Sequence, residues 1–184
     1  MIHVGTDKRR LRSAELLLNA LVKLMNEKDF SEISISDLQK ESGVSRATFY
    51  RLFDTTIDIL DYKCRQIAAD ISNYYEETPA EKRECFLLFS LRYWLKQHVF
   101  LEAIFNSNRS DILQNALREN SDFLKDQFPA EMFLQDSMDY LMSCSLGILS
   151  NLLLTWVSHG QKESPEELFA IFHEFSGIVE MFFQ

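Results

Sequence analysis

Apolar residues recur at spacings of three and four along most of the 184-residue chain, whereas alternating apolar and polar runs do not persist. This period is typical of helices that bury one side. Five glycines and three prolines are few for such a length, and strand signatures are scarce. The pattern predicts an all-α fold with helical segments over residues 7–26, 55–75, 80–106, 109–128, 130–158 and 164–183.

Two shorter helical patterns, separated by a glycine, lie between residues 34 and 53. Three N-cap signals mark helix starts close together: Ser34 with Asp37, Ser45 after Gly43, and Thr55 with Asp58. A helix, a glycine turn and a second helix form the helix-turn-helix arrangement, which places its second helix in the DNA major groove. An ordinary helical hairpin is the alternative, and the turn signals argue against it.

The second of these helices has two chemically different sides. At 100° per residue, three apolar side chains fall together and define a buried side: Phe49, Leu52 and Phe53. The opposite side carries a small residue, an arginine, a phenol and a hydroxyl: Ala47, Arg51, Tyr50 and Thr48. Such a surface approaches a groove closely and donates hydrogen bonds to phosphates, and Arg51 suits a guanine edge or a phosphate.

Residues 43–53, Gly-Val-Ser-Arg-Ala-Thr-Phe-Tyr-Arg-Leu-Phe, resemble the signature of the TetR family of bacterial transcriptional regulators, roughly G-V-S-x-x-T-[LF]-Y-x-x-F. The resemblance extends upstream over residues 30–38 and downstream to residues 59–60. It implies a DNA-binding domain over residues 1–54 and a helical regulatory and dimerisation domain over residues 55–184. It also implies a homodimer joined by the last two long helices, with a ligand pocket in each body.

One position departs from the family pattern. Members commonly carry a lysine three residues after the closing phenylalanine, where it contacts a phosphate, and this chain has Thr56 there. A threonine donates a hydrogen bond but brings no charge. We predict DNA contacts from ten residues: Arg9, Arg10, Ser34, Ser45, Arg46, Ala47, Thr48, Tyr50, Arg51 and Thr56.

The charge of the chain is divided unevenly. A net charge of −9 is unexpected for a protein that binds the negatively charged DNA backbone. Residues 1–53, however, contain nine Lys and Arg and seven Asp and Glu, a net charge of +2. The remainder contains 10 basic and 21 acidic residues, a net charge of −11. The acidity therefore belongs to residues 54–184, which need not contact DNA. The basic residues between positions 8 and 12 suit contacts with phosphates or the minor groove.

The distal part is rich in aromatic residues, which suits either a small-molecule pocket or a plain core. For an apolar small molecule we predict a lining drawn from Phe86, Phe89, Trp94, Phe105, Met138, Met142 and Trp156. The last helix is apolar around more than half of its circumference, so it is either wrapped on several sides or buried against a second subunit. With the resemblance, this predicts a dimer interface that includes Leu152, Leu153, Phe172, Phe175, Val179 and Phe182.

The sequence gives little support for an enzyme, a metalloprotein, a secreted protein or a membrane protein. The three cysteines and four histidines lack metal-ligand spacing, and no nucleophile, P-loop or dinucleotide motif occurs, so we expect no catalytic site, metal or cofactor. The thiols fit reduced, buried cysteines of a cytoplasmic protein. The N-terminus lacks the apolar run of a signal peptide, and the most apolar stretch, residues 148–157, is too short to span a membrane.

These observations predict a dimeric, ligand-responsive regulator of the TetR type that binds a palindromic double-stranded DNA operator, most simply as a repressor. A TetR-like interaction protein that has lost operator binding is the alternative. This alternative is left open by Thr56, by the modest charge of the first 53 residues and by the acidity of the rest of the chain.

Overall fold

The first helix begins where an aspartate caps it. In a computed structural model, which describes the backbone of residues 1–125 and 137–182 and the side chains of residues 1–124 and 137–174, helix α1 spans Lys8–Met25. The Asp7 carboxylate accepts from the backbone N–H groups of Arg9 and Arg10. The apolar stripe of α1 is buried, as its spacing predicts: Ala14, Leu17, Leu18, Leu21 and Leu24.

Helices α2 (Ile35–Ser42) and α3 (Arg46–Leu52) follow a short 3₁₀ turn, Phe30–Glu32. The predicted capping box of Ser34 and Asp37 is complete, and Ser45 caps α3 by accepting from the backbone N–H of Thr48. Gly43 ends α2 at φ +70°, a left-handed conformation that glycine adopts without a Cβ penalty. The helix-turn-helix is therefore specified by its caps and its glycine.

Helix α4 (Ile57–Glu77) joins this region to the rest of the chain, but its start differs from the prediction. The Thr55 hydroxyl donates to the Asp58 carboxylate, and it does not accept from the Asp58 backbone N–H, which bonds to the Thr55 carbonyl instead. Asp58 also accepts from the backbone N–H groups of Asp54 and Thr55, at 2.9 and 2.8 Å. One half of the expected box is thus present and the other is not.

The body consists of helices around α4, and the predicted aromatic segment divides at a turn into two of them. After a 3₁₀ turn at Ala80–Lys82, these are α5 (Phe86–Leu95), α6 (His98–Asn106), α7 (Ser110–Glu119), α8 (Asp122–Lys125), α9 (Ser137–Ser158) and α10 (Pro165–Phe182). Helix α4 packs against α7, α9 packs against α6 and α7, and α5 packs against α10.

Two predicted helices have different bounds in the structure. The helix expected over residues 109–128 is broken at Asn120 and Ser121 into α7 and α8. The helix expected over residues 130–158 is α9 from Ser137 onward, and its first part lies outside the described residues. The last helix starts at the predicted cap, where the backbone N–H of Glu167 donates to the Ser164 hydroxyl and the Glu167 carboxylate accepts from the Ser164 N–H.

The length argument against a membrane span was wrong. Helix α9 has 22 residues and a mean hydropathy of 1.5, so by length and composition alone it is able to cross a membrane. The serines and the asparagine inside the apolar stretch do not interrupt the helix. This is weak evidence for a span, because the core helix of a soluble protein meets the same test. Here α9 buries Leu149 and Leu153 within the body.

The DNA-binding and regulatory parts share one core. Buried residues of α1, α3, α4 and the later helices form a continuous hydrophobic cluster. Helix α1 packs against α4 and α6, and the Gln66 side-chain amide donates to the Glu15 carboxylate at 3.1 Å. A division at residues 54 and 55 remains a prediction, and α4 begins two residues beyond it.

Candidate nucleic-acid interface and the cavity of the body

The inner side of α3 anchors this helix in the core. Phe49, Leu52 and Phe53 are 1%, 1% and 0% exposed, as their positions on the helix predict. The Phe53 ring meets the Tyr62 ring of α4 edge-on, with centroids 5.7 Å apart. The orientation of α3 is therefore fixed by side chains that do not face outward.

The outer side of α3 presents the predicted polar surface. Ala47 and Arg51 are exposed, and Tyr50 is 46% exposed. The Arg46 guanidinium lies 5.7 Å from the centroid of the Tyr50 ring, and its Nη2 donates to the phenolic oxygen at 3.4 Å. This cation–π contact orders two long side chains one turn apart before any ligand is bound. Thr48 is half-buried, and its hydroxyl lies 3.0 Å from that of Ser45.

Not every basic residue of the first 53 is available to an anion. Lys23 pairs with Glu41, and Lys28 pairs with Asp37, at 2.6 and 2.8 Å. Arg10 donates from Nη1 to the carbonyl of His3. Among residues 1–53, Arg10 and Arg46 bond to uncharged oxygens, and five further exposed cations have no ion pair with an acid: Lys8, Arg9, Arg12, Lys40 and Arg51.

Ser34 lies at the start of α2 and is already engaged. Its backbone N–H and its hydroxyl both donate to the Asp37 carboxylate, at 2.9 and 2.7 Å. The Lys28 ammonium, with these two donors, holds the pKa of Asp37 far below its usual range. A phosphate contact from Ser34 therefore competes with a charged capping carboxylate.

Thr56, the position of the missing lysine, has acidic neighbours. It is half-buried at the start of α4 and makes no side-chain capping hydrogen bond. Asp54 and Asp58 lie two residues away on either side. The N-terminal ammonium of Met1 lies 3.0 Å from Asp54 and 2.8 Å from Asp58, which offsets their charge in part.

Sequence reasoning missed an N-terminal strap formed by residues 2–4. Ile2 forms an isolated antiparallel bridge with Phe53, and the His3 N–H donates to the carbonyl of Leu52 at 2.8 Å. The Val4 side chain is 3% exposed, and the His3 ring nitrogen lies 3.1 Å from an Asp54 oxygen. The strap thus covers the end of α3. Its only sequence signal is the alternation of two β-branched residues, which is too short to predict a strand.

A small, partly open cavity, with room for about one water molecule, lies between α4, α5, α7, α8 and α9. Its volume is about 10 Å³, and it is lined by Ala68, Ile71, Phe86, Ser90, Leu117, Asn120, Ser121, Phe123, Leu124 and Leu146. Of the predicted pocket residues, Phe86 reaches this cavity. The sequence indicated which helices are apolar, but not which of their side chains meet around a space.

The other six predicted pocket residues lie elsewhere. Phe89 stacks on Tyr74 with ring centroids 4.0 Å apart, and Trp94 is fully buried in the core. Trp156 donates from its indole N–H to the carbonyl of Glu163 at 2.9 Å. Phe105 is 39% exposed, Met142 is buried and Met138 is half-buried.

Two family profiles match the chain. The one described as bacterial regulatory proteins, tetR family, matches residues 17–62, and the one described as a transcriptional regulator C-terminal region matches residues 81–176, more than half of the chain. The chain belongs to the TetR family of bacterial regulators. The first match contains the TetR helix-turn-helix, and the second runs from the 3₁₀ turn before α5 into α10.

Curated relatives resemble parts of this TetR-family chain. EthR, an HTH-type transcriptional regulator of Mycolicibacterium smegmatis, is 34% identical over 74 residues, which are 38% of this chain and 34% of EthR. DhaS, the dhaKLM operon transcriptional activator of Lactococcus lactis, is 26% identical over 98 residues, 53% of this chain and 51% of DhaS. The chain spans about half or less of the length of the curated relatives it matches.

A solved structure extends the likeness to the whole TetR-type fold. Lin0861 from Listeria innocua superposes with a TM-score of 0.73 over 97% of this chain and 98% of its own, at 18% identity. At that identity the likeness shows the fold alone. The all-α fold, with its N-terminal helix-turn-helix and helical body, is thereby confirmed.

The residues predicted for a TetR-type dimer interface fall into three groups. Leu152 and Phe172 are half-buried. Leu153 is fully buried within the single chain, so its inclusion was wrong, because the side chain offers no surface to a partner. The side chains of Phe175, Val179 and Phe182 lie outside the described residues. Three exposed apolar residues of these helices were missed: Tyr140, Ile148 and Ile171.

The thiols also differ from expectation. Cys64 is buried, and burial raises the pKa of its thiol. Cys85, immediately before α5, and Cys144, within α9, are exposed. Within residues 1–125 and 137–182, no group of His, Cys, Asp and Glu is arranged to hold a metal ion.

Proposed function

We propose that this TetR-type transcriptional regulator binds a palindromic DNA operator as a homodimer, represses transcription by occupying it, and releases it when a small molecule enters the body. The outer side of α3 carries this proposal. Its exposed Ala47 permits close approach to a groove, while Arg51 has no acidic partner among the described residues. Such an arginine suits a guanine edge or a phosphate.

The electrostatics of the first 53 residues support the DNA contacts. The cations without an acidic partner there lie at the start of α1, at Lys40, and at Arg46 and Arg51 of α3, while Lys23 and Lys28 pair with the acids of α2. Each of these pairs removes one charge of either sign, so the net charge of residues 1–53 stays at +2 and the remaining cations provide the attraction for phosphate. We assign phosphate contacts to the predicted Arg9 and, in addition to the predicted residues, to Arg12 and Lys40.

Helices α9 and α10 support the proposed homodimer. Ile148 and Ile171 are 39% and 52% exposed, and Tyr140 is 76% exposed, so these helices carry apolar surface that the single chain does not cover. Two α3 helices related by a two-fold axis recognise two inverted half-sites, which makes a palindrome the natural target. With operator DNA as its partner, we expect the protein to act in the cytoplasm.

A ligand acts on DNA binding if it binds two arrangements of α4 unequally. Ala68 and Ile71 of α4 line the cavity, and α4 continues without a break to the residues that meet the end of α3. A coupling of about 1–3 kcal/mol is the usual scale for such control. Repression needs only occupancy of the operator. The relative DhaS is described as an activator, so a promoter fused to a reporter gene decides the direction.

The interaction-protein alternative rests on the acids around Thr56. Asp54 and Asp58 lie where the family's lysine would contact a phosphate, and they weaken attraction at that point. A chain that keeps the fold but has lost operator binding would select no DNA sequence.

Selection from random DNA duplexes tests the proposal. Purified protein at low salt should enrich one inverted repeat over several rounds, and the enriched site should shift in a gel with the mass of a dimer complex. Enrichment without a common sequence, alongside intact folding by circular dichroism, would support the interaction protein and refute operator binding.

A further inference from the structure

The side chain of His3 lies next to the C-terminal end of α3. The strap fixes this position through its backbone and its apolar residues. The His3 N–H donates to the Leu52 carbonyl at 2.8 Å, and the bridge of Ile2 with Phe53 lies beside this bond. Val4 is buried behind it. The His3 ring takes no part in these contacts, and the side chain is 41% exposed, so it is free to bind a ligand from solvent.

The position of the strap relative to α3 brings this ring to the edge of the proposed DNA-reading surface. Arg51 is exposed in the last turn of α3, and Arg10 of α1 donates from Nη1 to the His3 carbonyl at 3.3 Å. The strap therefore connects the basic start of α1 to the end of α3. A helix of seven residues is about 10 Å long and the major groove is about 12 Å wide, so the ends of α3 lie near the phosphates that flank the groove.

The two nitrogens of the His3 ring have different surroundings. Nε2 lies 3.1 Å from a carboxylate oxygen of Asp54, whereas Nδ1 has no hydrogen-bond partner among the described residues. A carboxylate only accepts, so in a neutral ring Nε2 carries the proton and Nδ1 presents a lone pair. That lone pair repels a phosphate oxygen. A second proton turns Nδ1 into a donor, and the charged ring is then able to bridge Asp54 and a phosphate.

Two acids and two cations surround the ring. Asp54 and Asp58 lie at the start of α4, and the Met1 ammonium pairs with both, at 3.0 and 2.8 Å. The ammonium first, and His3 second, hold the pKa of Asp54 below its usual value, so this group is a carboxylate at neutral pH. The guanidinium of Arg10 is the second cation. A phosphate at Nδ1 adds a negative neighbour, so DNA binding and protonation of the ring favour each other.

We propose that His3 contacts a DNA phosphate in its doubly protonated form, donating from Nδ1 to a phosphate oxygen and from Nε2 to Asp54. This inference rests on the proposed function and adds to it a contact made by the strap. The second proton comes from solvent and stays on the ring while DNA is bound. Since only the charged ring makes the contact, affinity for DNA falls as pH rises through the range in which imidazoles lose their charge. The contact is the same for every sequence, because it ends on a phosphate.

The salt dependence of DNA affinity tests the contact. Each phosphate neutralised by a cation adds about 0.9 to the steepness of log K against log salt. Wild type and His3→Gln are titrated with the selected duplex at several salt concentrations, at about pH 6 and about pH 8, near the two ends of the imidazole range. Glutamine keeps the backbone N–H of the strap and a side-chain donor for Asp54, but it is never charged. We expect the wild-type slope to be steeper than that of His3→Gln by about one at the lower pH and by close to zero at the higher pH.

His3→Lys and His159→Gln are the controls. A lysine is charged at both pH values, so the slope of His3→Lys should match that of wild type at the lower pH and stay there at the higher pH. His159 is exposed just after α9, and its change to glutamine should leave the wild-type slopes as they are. A strap that only holds α3 in place would make the difference between wild type and His3→Gln independent of pH, and that result would overturn the proposal. So would a slope for His3→Lys equal to that of His3→Gln.

A second duplex, of the same composition but with scrambled half-sites, separates this claim from operator recognition. A phosphate contact should change the slope equally on both duplexes. Equal affinity for the two, with the pH-dependent difference in slope, would support the role of His3 and refute operator recognition. Preference for the selected duplex without that difference would refute the role of His3 alone. If selection yields no common sequence, the same titration on a random duplex still measures the slope, and a protein that binds no duplex refutes both claims.

Discussion

The backbone N–H of His3 donates to the carbonyl of Leu52 across 2.8 Å, which joins the beginning of the chain to the last turn of α3. Ile2 pairs with Phe53 beside this bond, and Val4 is buried behind it. A helix of seven residues has few internal hydrogen bonds, so an outside partner for its last turn limits fraying. The strap is thus part of what holds the outer side of α3 in place.

Val4→Ala tests the strap. Removing two buried methyl groups should lower the free energy of unfolding by about 1–2 kcal/mol and speed amide hydrogen exchange in the last turn of α3. Val99→Ala, the same change at a half-buried position of α6, should lower stability less and leave that exchange at the wild-type rate. Unchanged exchange at Phe53 in Val4→Ala would show that the strap does not hold α3.

The Asp37 carboxylate makes the stability of the helix-turn-helix depend on pH. Lys28 and Ser34 lower its pKa in the folded state, so its contribution is present above the unfolded value near 3.9 and is lost as pH falls toward the folded value. The difference in stability between wild type and Asp37→Asn, from urea unfolding, should therefore be constant near neutrality and shrink below about pH 4. For Asp29→Asn, an exposed residue, the difference should be smaller at every pH.

The two fully buried serines give opposite expectations for stability. Ser90→Ala removes a hydroxyl without a described partner and should raise the free energy of unfolding by about 1–3 kcal/mol. Ser150→Ala removes a hydroxyl bonded to Gly147 and should change it by less than about 1 kcal/mol. Both changes lie within helices, so the gain in helix propensity cancels in the comparison. If Ser90→Ala is less stable than Ser150→Ala, the Ser90 hydroxyl has a hydrogen-bond partner in the folded wild-type protein.

Ile171→Asp tests the homodimer. The side chain is 52% exposed on α10, so the single chain tolerates a carboxylate there, whereas an apolar interface does not. Sedimentation at micromolar concentration should show a dimer for wild type and a monomer for Ile171→Asp. Leu16→Asp, at a residue 43% exposed on α1, should remain dimeric. A monomeric wild type would contradict the interface.

Local signals predicted the helix-turn-helix well. Ser34, Gly43 and Ser45 act through neighbours two to four residues away, and the buried side of α3 follows from helical periodicity alone. The resemblance to the TetR family was confirmed by both family matches.

Features that bring distant parts of the chain together could not be predicted from the sequence. The strap joins residues about 50 apart, and the cavity is formed by five helices whose relative rotation no local pattern gives. Aromatic content therefore suggested Trp94 and Trp156 as pocket residues, although packing places both in the core. Exposure of Cys85 and Cys144 likewise depends on tertiary packing.

Arg51→Ala separates base reading from general attraction. If Arg51 contacts a base, its loss should cost about 1–3 kcal/mol of binding free energy on the selected duplex and relax preference at one position of each half-site. Arg9→Ala should weaken binding to all duplexes alike and lower the salt slope by about one. Arg118→Ala, which removes an exposed cation of α7, should change neither quantity.

The central claim, that the outer side of α3 recognises a DNA sequence, is tested most directly by one titration at 0.15 M salt, about the physiological ionic strength. Wild-type protein is titrated with a duplex that carries the selected inverted repeat and with a duplex of the same composition in which both half-sites are scrambled. The account predicts that the repeat is bound at least about 10³-fold more tightly. Equal affinity for the two duplexes would contradict it.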